Sequence, residues 1–190
     1  MRVLVACEYS GIVRDAFIRA GHDALSCDIL PSESDFGPHH EGDVRPLLRQ
    51  PWDLVIAHPP CTYLANSGVR WLHERPERWA KLDDAAEFFR ECMYANSRRV
   101  CVENPVPHKY AVERIGKQYT QTVQPWQFGH GETKRTCLWL RGLRPLKPTD
   151  VVEGREARVH RMPPGPDRQK ERSRFFRGIA DAMANQWGTL

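Results

Sequence analysis

The apolar run Asp53-Leu54-Val55-Ile56-Ala57-His58 passes directly into Pro59-Pro60-Cys61. A short unbroken apolar run bounded by turn residues marks a strand buried on both faces, as in a parallel sheet. Each proline fixes its own φ and restrains the residue before it, so the chain leaves this strand on a stiff turn. Cys61 is therefore expected at the carboxyl edge of a sheet, where open α/β folds bind ligands. Small and polar residues follow (Thr62, Ala65, Asn66, Ser67 and Gly68), which leaves room for another molecule. From these residues alone, a proline turn followed by a small buried cysteine is an equal alternative.

The chain before this run has the order strand, turn, helix, strand. Arg2 to Ala6 reads as a buried strand and Cys7 to Gly11 as the turn after it. Ile12 to Ala20 is amphipathic, with Ile12, Ala16, Phe17 and Ala20 on one side, and Gly21 stops it. Asp23 to Ile29 is a second strand carrying Asp28 near its end. This is the order of a nucleotide-binding crossover, although only Gly11 stands in a turn that is usually richer in glycine, and any α/β crossover shares the order. Pro31 to His40 reads as a polar loop, with His39-His40 solvated rather than metal-binding. Gly42-Asp43-Val44 leads into a short helical stretch, Arg45 to Arg49.

Beyond the Cys61 loop, Pro76 suits the first turn of a helix running to about Asn96. Its core face is Leu82, Ala85, Ala86, Phe89, Cys92 and Met93. Arg99 to Glu103 is a further strand, and it delivers Glu103-Asn104-Pro105 to the same sheet edge as Cys61. A carboxylate at the end of a buried strand, pinned by proline, is unusual; helix capping is the plainer alternative. Lys109 to Ile115 fits a short helix. Tyr119 to Val123 and Thr136 to Leu140 fit an antiparallel pair. From Arg141 to Ser173 periodicity disappears and arginines accumulate, so this stretch either tracks phosphates or forms a solvated loop. Phe175 to Trp187 is a closing amphipathic helix.

The chain's 190 residues suit one domain, and 41% hydrophobic with 27% charged residues argue against global disorder. The net charge of +4 permits a polyanionic partner without requiring one. None of the six cysteines forms a CxxC pair, so no metal site is expected, and the usage suits a reducing, cytoplasmic setting. Neither a signal peptide nor a membrane-spanning stretch is expected. Nothing in the sequence sets the oligomeric state.

Pro59-Pro60-Cys61 followed in order by Glu103-Asn104-Pro105 resembles the DNA (cytosine-5)-methyltransferase family. Ser10-Gly11 and Ala20-Gly21-His22 resemble its first cofactor motif, and Gly178-Ile179-Ala180 resembles the closing motif that returns to the cofactor pocket. Gly131 to Leu140, with Lys134 and Arg135, resembles its arginine motif. Only Arg141 to Ser173 stands where the family carries a target-recognition region, which is more similar to a small, phage-type branch. The resemblance implies a Rossmann-like class I methyltransferase fold: an α/β, mostly parallel twisted sheet with one antiparallel hairpin and helices on both faces. It implies one domain over 1–190, with 141–173 an irregular basic segment.

The resemblance also implies roles. Cys61 matches the nucleophile, Glu103 the carboxyl that grips the base, and Arg135 the cation beside it. S-adenosyl-L-methionine would be held by Glu8, Tyr9, Ser10, Gly11, Asp28, Ile29, Asp43, Val44 and Pro59. The substrate would meet Pro60, Asn66, Ser67, Asn104 and Pro105. The implied partner is DNA, as a duplex with a flipped cytosine or as a single strand. A free nucleotide substrate and a non-catalytic nucleic-acid-binding role are the alternatives.

Overall fold

Seven strands form a single sheet in the computed structural model, which describes residues 1–165 and 168–189. In chain order they are β1 (Arg2–Ala6), β2 (Asp23–Asp28), β3 (His39–Glu41), β4 (Leu54–Ala57), β5 (Val100–Pro105), β6 (Gln121–Val123) and β7 (Thr136–Arg141). Their order across the sheet is β3-β2-β1-β4-β5-β7-β6. The first five run parallel; β7 runs antiparallel to both β5 and β6. The order reverses between β1 and β4, so the carboxyl ends of these two strands flank the crevice that such sheets use for ligands.

Burial on both faces explains the unbroken apolar runs of the central strands. Leu4, Ala6, Val55, Ala57, Val100 and Val102 point to one face, where they meet α4 (Arg78–Met93) and α5 (Lys109–Ile115). Val3, Val5, Leu54, Ile56 and Cys101 point to the other, against α1 (Ile12–Arg19) and α8 (Arg177–Trp187). The short helix α2 (Arg45–Leu48) closes the first face through Leu48. Two buried indoles find carbonyl partners, Trp139 Nε1 on Lys117 at 2.9 Å and Trp187 Nε1 on Arg144 at 2.9 Å.

The structure adds to or departs from expectation in four places. The polar loop at 31–40 ends in β3: His39 pairs with Ser26, and its Nδ1 lies 2.8 Å from the Ser26 hydroxyl. Backbone pairing at a sheet edge needs no apolar pattern, which hides such a strand in the sequence. Arg14 and Asp15 of α1, which the apolar pattern leaves unassigned, are buried. The Arg14 guanidinium pairs with Asp15 at 2.7 Å, reaches Ser26 Oγ at 3.0 Å and the Ser34 carbonyl at 2.9 Å, and so ties the 31–38 loop to the helix. Finally, 141–173 is not wholly irregular. It contains α6 (Arg158–Arg161) and α7 (Arg168–Ser173), and it buries Leu146 and Val159. A further short helix, α3 (Arg70–Glu74), follows the Cys61 loop and precedes α4, which starts at Arg78 rather than Pro76. Among the described residues, no helix is long and apolar enough to cross a membrane.

Candidate active site

The sheet register decides what stands beside Cys61. Ala57 of β4 pairs with Val102 of β5, so the next residues along, His58 and Glu103, emerge side by side at the carboxyl edge. His58 Nδ1 lies 3.1 Å from Glu103 Oε2, and both side chains are mostly buried. One residue further along each strand, Asn104 donates its amide to the Pro59 carbonyl at 2.7 Å. The stiff turn predicted from two prolines is thus also bolted to β5.

Cys61 then opens a tight turn. Its carbonyl accepts from Leu64 N at 3.0 Å and Ala65 N at 2.9 Å. The loop is stitched to the chain after β5 by Asn66 N to the Val106 carbonyl at 2.8 Å and His108 N to the Leu64 carbonyl at 3.1 Å. The His108 ring completes the stitching: Nδ1 accepts from Ala111 N at 3.0 Å, which leaves Nε2–H to donate to the Tyr63 carbonyl at 2.9 Å. His108 also caps α5.

Burial pushes the Cys61 thiol pKa up, and the Glu103 carboxylate adds to this; its own backbone amide, Lys134 and Arg172 push it back. Lys134 is lowered by burial and raised in turn by Glu103 and Cys61. Lys134 is therefore a cation whose charge acts on both groups. Arg135, its neighbour in the chain, is exposed, and its charge acts on Cys137.

Other candidate residues divide between the crevice and the interior. The turn after β1 carries Cys7 in a left-handed conformation, φ 58°, and Gly11 at φ 73° opens α1. The Glu8 carboxylate turns inward to accept from Val13 N at 2.6 Å and Arg14 N at 3.1 Å, so it caps α1. Burial raises the Glu8 pKa against the pull of nearby His58 and those two amides. Ser10 Oγ lies 3.4 Å from Glu8. Asp28 ends β2 half-buried, its pKa raised by burial, and accepts from Leu30 N at 3.0 Å. Ile29 beside it is 77% exposed. Asp43 is largely exposed and pairs with Arg45 at 3.6 Å, whereas the Val44 side chain lies in the core. Pro59 and Asn104 are buried, Pro105 half-buried, and Pro60, Asn66 and Ser67 exposed.

The basic segment folds across this edge. Lys170 and Arg174 both pair with Glu33, at 2.6 Å and 2.8 Å. Tyr9 Oη donates to the Lys170 carbonyl at 3.2 Å, and Lys134 Nζ donates to the Arg174 carbonyl at 3.2 Å. Phe175 packs against His58, with ring centroids 4.9 Å apart. Sequence reasoning passed over His58, because a histidine closing an apolar strand has no motif of its own; its register partner, Glu103, is the only signal. It also passed over His108 and the contact between this segment and the site.

The half-buried Asp28 carboxyl and the bare Ile29 side chain beside it offer an acceptor for hydroxyl groups and an apolar surface for a flat ring. Among the described residues, no three His, Cys, Asp or Glu side chains cluster as metal ligands would.

No family model matches the chain, and no curated protein matches it. Among solved structures, it is similar to a candidate DNA modification methyltransferase encoded within an E. coli prophage, with a TM-score of 0.52 and 15% identity, over 80% of this chain and 52% of that one. Two others align more loosely. One is a Spodoptera frugiperda DNMT2 mutant (TM-score 0.40, 15% identity, 82% of this chain and 54% of that one). The other is S. pombe Dnmt2 (TM-score 0.44, 15% identity, 84% and 53%). The chain spans about half the length of each. By its strand order, its antiparallel β7 and its likeness to the prophage structure, the chain has a Rossmann-like methyltransferase fold.

Proposed function

We propose that the protein is a DNA (cytosine-5)-methyltransferase that works through a covalent Cys61 adduct at C6 of cytosine and uses S-adenosylmethionine. The observation that carries this is the coupling of the Cys61 turn to the Glu103 strand end, through Asn104 to Pro59 at 2.7 Å, with the charge of Lys134 acting on both groups.

Cytosine C5 is too weak a nucleophile to take a methyl group unaided. Thiolate addition at C6 makes it enamine-like and divides one hard step into two. Glu103 meets the N3 and amino edge and supplies a proton as charge builds on the ring. Lys134, rather than Arg135, holds the cation position beside the thiolate and the ring. S-adenosylmethionine supplies an electrophilic methyl group on its sulfonium. Asp28 would hold the ribose, Ile29 would cover the adenine face, Asp43 would meet the adenine amine, and the Tyr9 to Gly11 turn and Pro59 would line the approach. Glu8 and Val44 contribute from behind, as the cap of α1 and as core. Pro60, Asn66 and Ser67 face the incoming substrate, while Asn104 and Pro105 hold the loop. Loss of the C5 proton and departure of the thiolate restore the aromatic ring.

A free or unpaired cytosine is the second substrate reading. The folding of 168–174 onto Glu33 and Tyr9, with Phe175 packed against His58, favours it. Incubating the protein with methyl-labelled cofactor and, separately, cytidine nucleotides, single-stranded DNA and duplex DNA distinguishes them, with the modified base identified by mass spectrometry. Label in 5-methylcytosine is the expected product. Label on any other atom, or none with any of the three acceptors, contradicts the proposal.

A further inference from the structure

Among the described residues, the buried Nε2 of His58 has no hydrogen-bond partner, while its Nδ1 lies 3.1 Å from Glu103 Oε2. A buried ring nitrogen without a partner is costly, and an orphaned N–H donor is the rarer and more expensive case. The ring avoids that cost when Nε2 is bare and the proton sits on Nδ1. In that tautomer Nδ1–H donates to Glu103 Oε2. The ring is held in place by Phe175 on its face, by the register of β4 against β5, and by the turn at Pro59. The charged groups around it are Glu8 from the turn after β1, Asp28 from the end of β2, and Glu103 from β5, with Cys61 and Lys134 beyond Glu103.

We infer that His58 is a positioning residue for the Glu103 carboxyl, fixing Oε2 through Nδ1–H so that Oε1 is presented to the ring nitrogen of the substrate. This rests on the proposed cytosine chemistry. As the Cys61 thiolate bonds to C6, the electron pair of the C5–C6 double bond moves into the ring, and N3 takes the proton from Glu103 Oε1. Glu103 is left as a carboxylate, and the Nδ1–H of His58 stabilises the charge on Oε2. After methylation solvent water accepts the C5 proton, the C5–H electron pair re-forms the C5–C6 double bond, the S–C6 pair leaves on the Cys61 thiolate, and N3 returns its proton to Glu103 Oε1. His58 keeps its own proton throughout, so its contribution grows only as the carboxylate forms, and it falls on turnover rather than on binding.

The test uses the full-length protein and two readouts. In steady-state methyl transfer, His58→Phe keeps a ring against Phe175 but removes the donor. Its kcat is expected to fall about ten- to a hundredfold, with KM changed less than about threefold. His58→Asn, which can donate to Oε2 without titrating, is expected to recover most of the lost rate. In nitrogen-15 spectra of the substrate-free protein, His58 is expected as the Nδ1–H tautomer in the wild type and to lose that form in Glu103→Ala. Wild-type methyl transfer together with an Nε2–H tautomer overturns the inference alone. So does a His58→Phe enzyme of wild-type kcat, a loss confined to KM, or a His58→Asn enzyme as slow as His58→Phe. Absence of cytosine methylation by the wild type overturns the proposed function, and this inference with it.

Discussion

The side-chain amide of Asn104 donates to the carbonyl of Pro59 at 2.7 Å, so the strand that carries Glu103 also holds the turn that carries Cys61. This bond ties the two turns to each other. Asn104→Ala removes the bond and leaves the Pro59 carbonyl without this donor. The expected cost is about 1 kcal/mol in chemical denaturation and at least about a tenfold loss of methyl transfer. Asn104→Asp is expected to be worse on both counts, because it sets a carboxylate against that carbonyl.

Lys134, together with Arg172, eases ionisation of Cys61 against burial and Glu103. Removing its charge in Lys134→Met moves the Cys61 pKa further up. The thiolate fraction at a fixed pH below that pKa then falls. Alkylation of Cys61 by iodoacetamide at pH 8 is expected to slow about three- to tenfold, with recovery as pH rises. Lys134→Arg keeps the charge and is expected to react more like the wild type. Arg135→Met leaves the facing charge in place and is expected to change the alkylation rate little.

Glu8 caps α1 from a buried position that raises its pKa. A carboxyl with a folded pKa above its unfolded value contributes stability that is full below the unfolded pKa and is lost as pH rises through the folded one. Glu8→Gln removes that titration while keeping one acceptor. Wild-type stability relative to Glu8→Gln is therefore expected to improve as pH is lowered from 7 to 4.5, read by urea denaturation. Glu8→Ala loses both amide contacts and is expected to cost about 1–3 kcal/mol at either pH.

Gly178 starts α8 against the loop that carries Phe128, and its amide donates to His130 Nε2 at 3.0 Å. A methyl group there would overlap the Phe128 carbonyl oxygen, a backbone atom that cannot swing aside. Gly178→Ala is expected to lower stability by about 1–3 kcal/mol, seen as a fall in the thermal midpoint. The closing motif therefore needs glycine for close backbone packing, whatever its relation to the cofactor.

Strands buried on both faces were readable because nothing interrupts their apolar runs, as in Leu54 to Ala57 and Val3 to Ala6. The Cys61 and Glu103 turns were readable because proline constrains them locally. What escaped depends on contacts distant in the chain. Arg14 looks like a solvated helix charge until Ser26, Ser34 and Asp15 surround it. β3 exists because β2 offers an edge, and its own residues carry no strand pattern. His58 acquires meaning only from the register that sets it beside Glu103. The choice between Lys134 and Arg135 depends on which of two neighbours turns inward, and that is set by β7 rather than by the motif.

The most direct test of the central claim is intact and peptide mass spectrometry of the protein after incubation with S-adenosylmethionine and an oligonucleotide containing 5-fluorocytosine. Fluorine at C5 cannot leave as a proton does, so the C6 adduct persists once methylation has occurred. The expected result is a one-to-one covalent complex whose modified peptide contains Cys61, absent in Cys61→Ser. Methyl transfer that proceeds undiminished in Cys61→Ser, or an adduct on any other residue, would contradict the account.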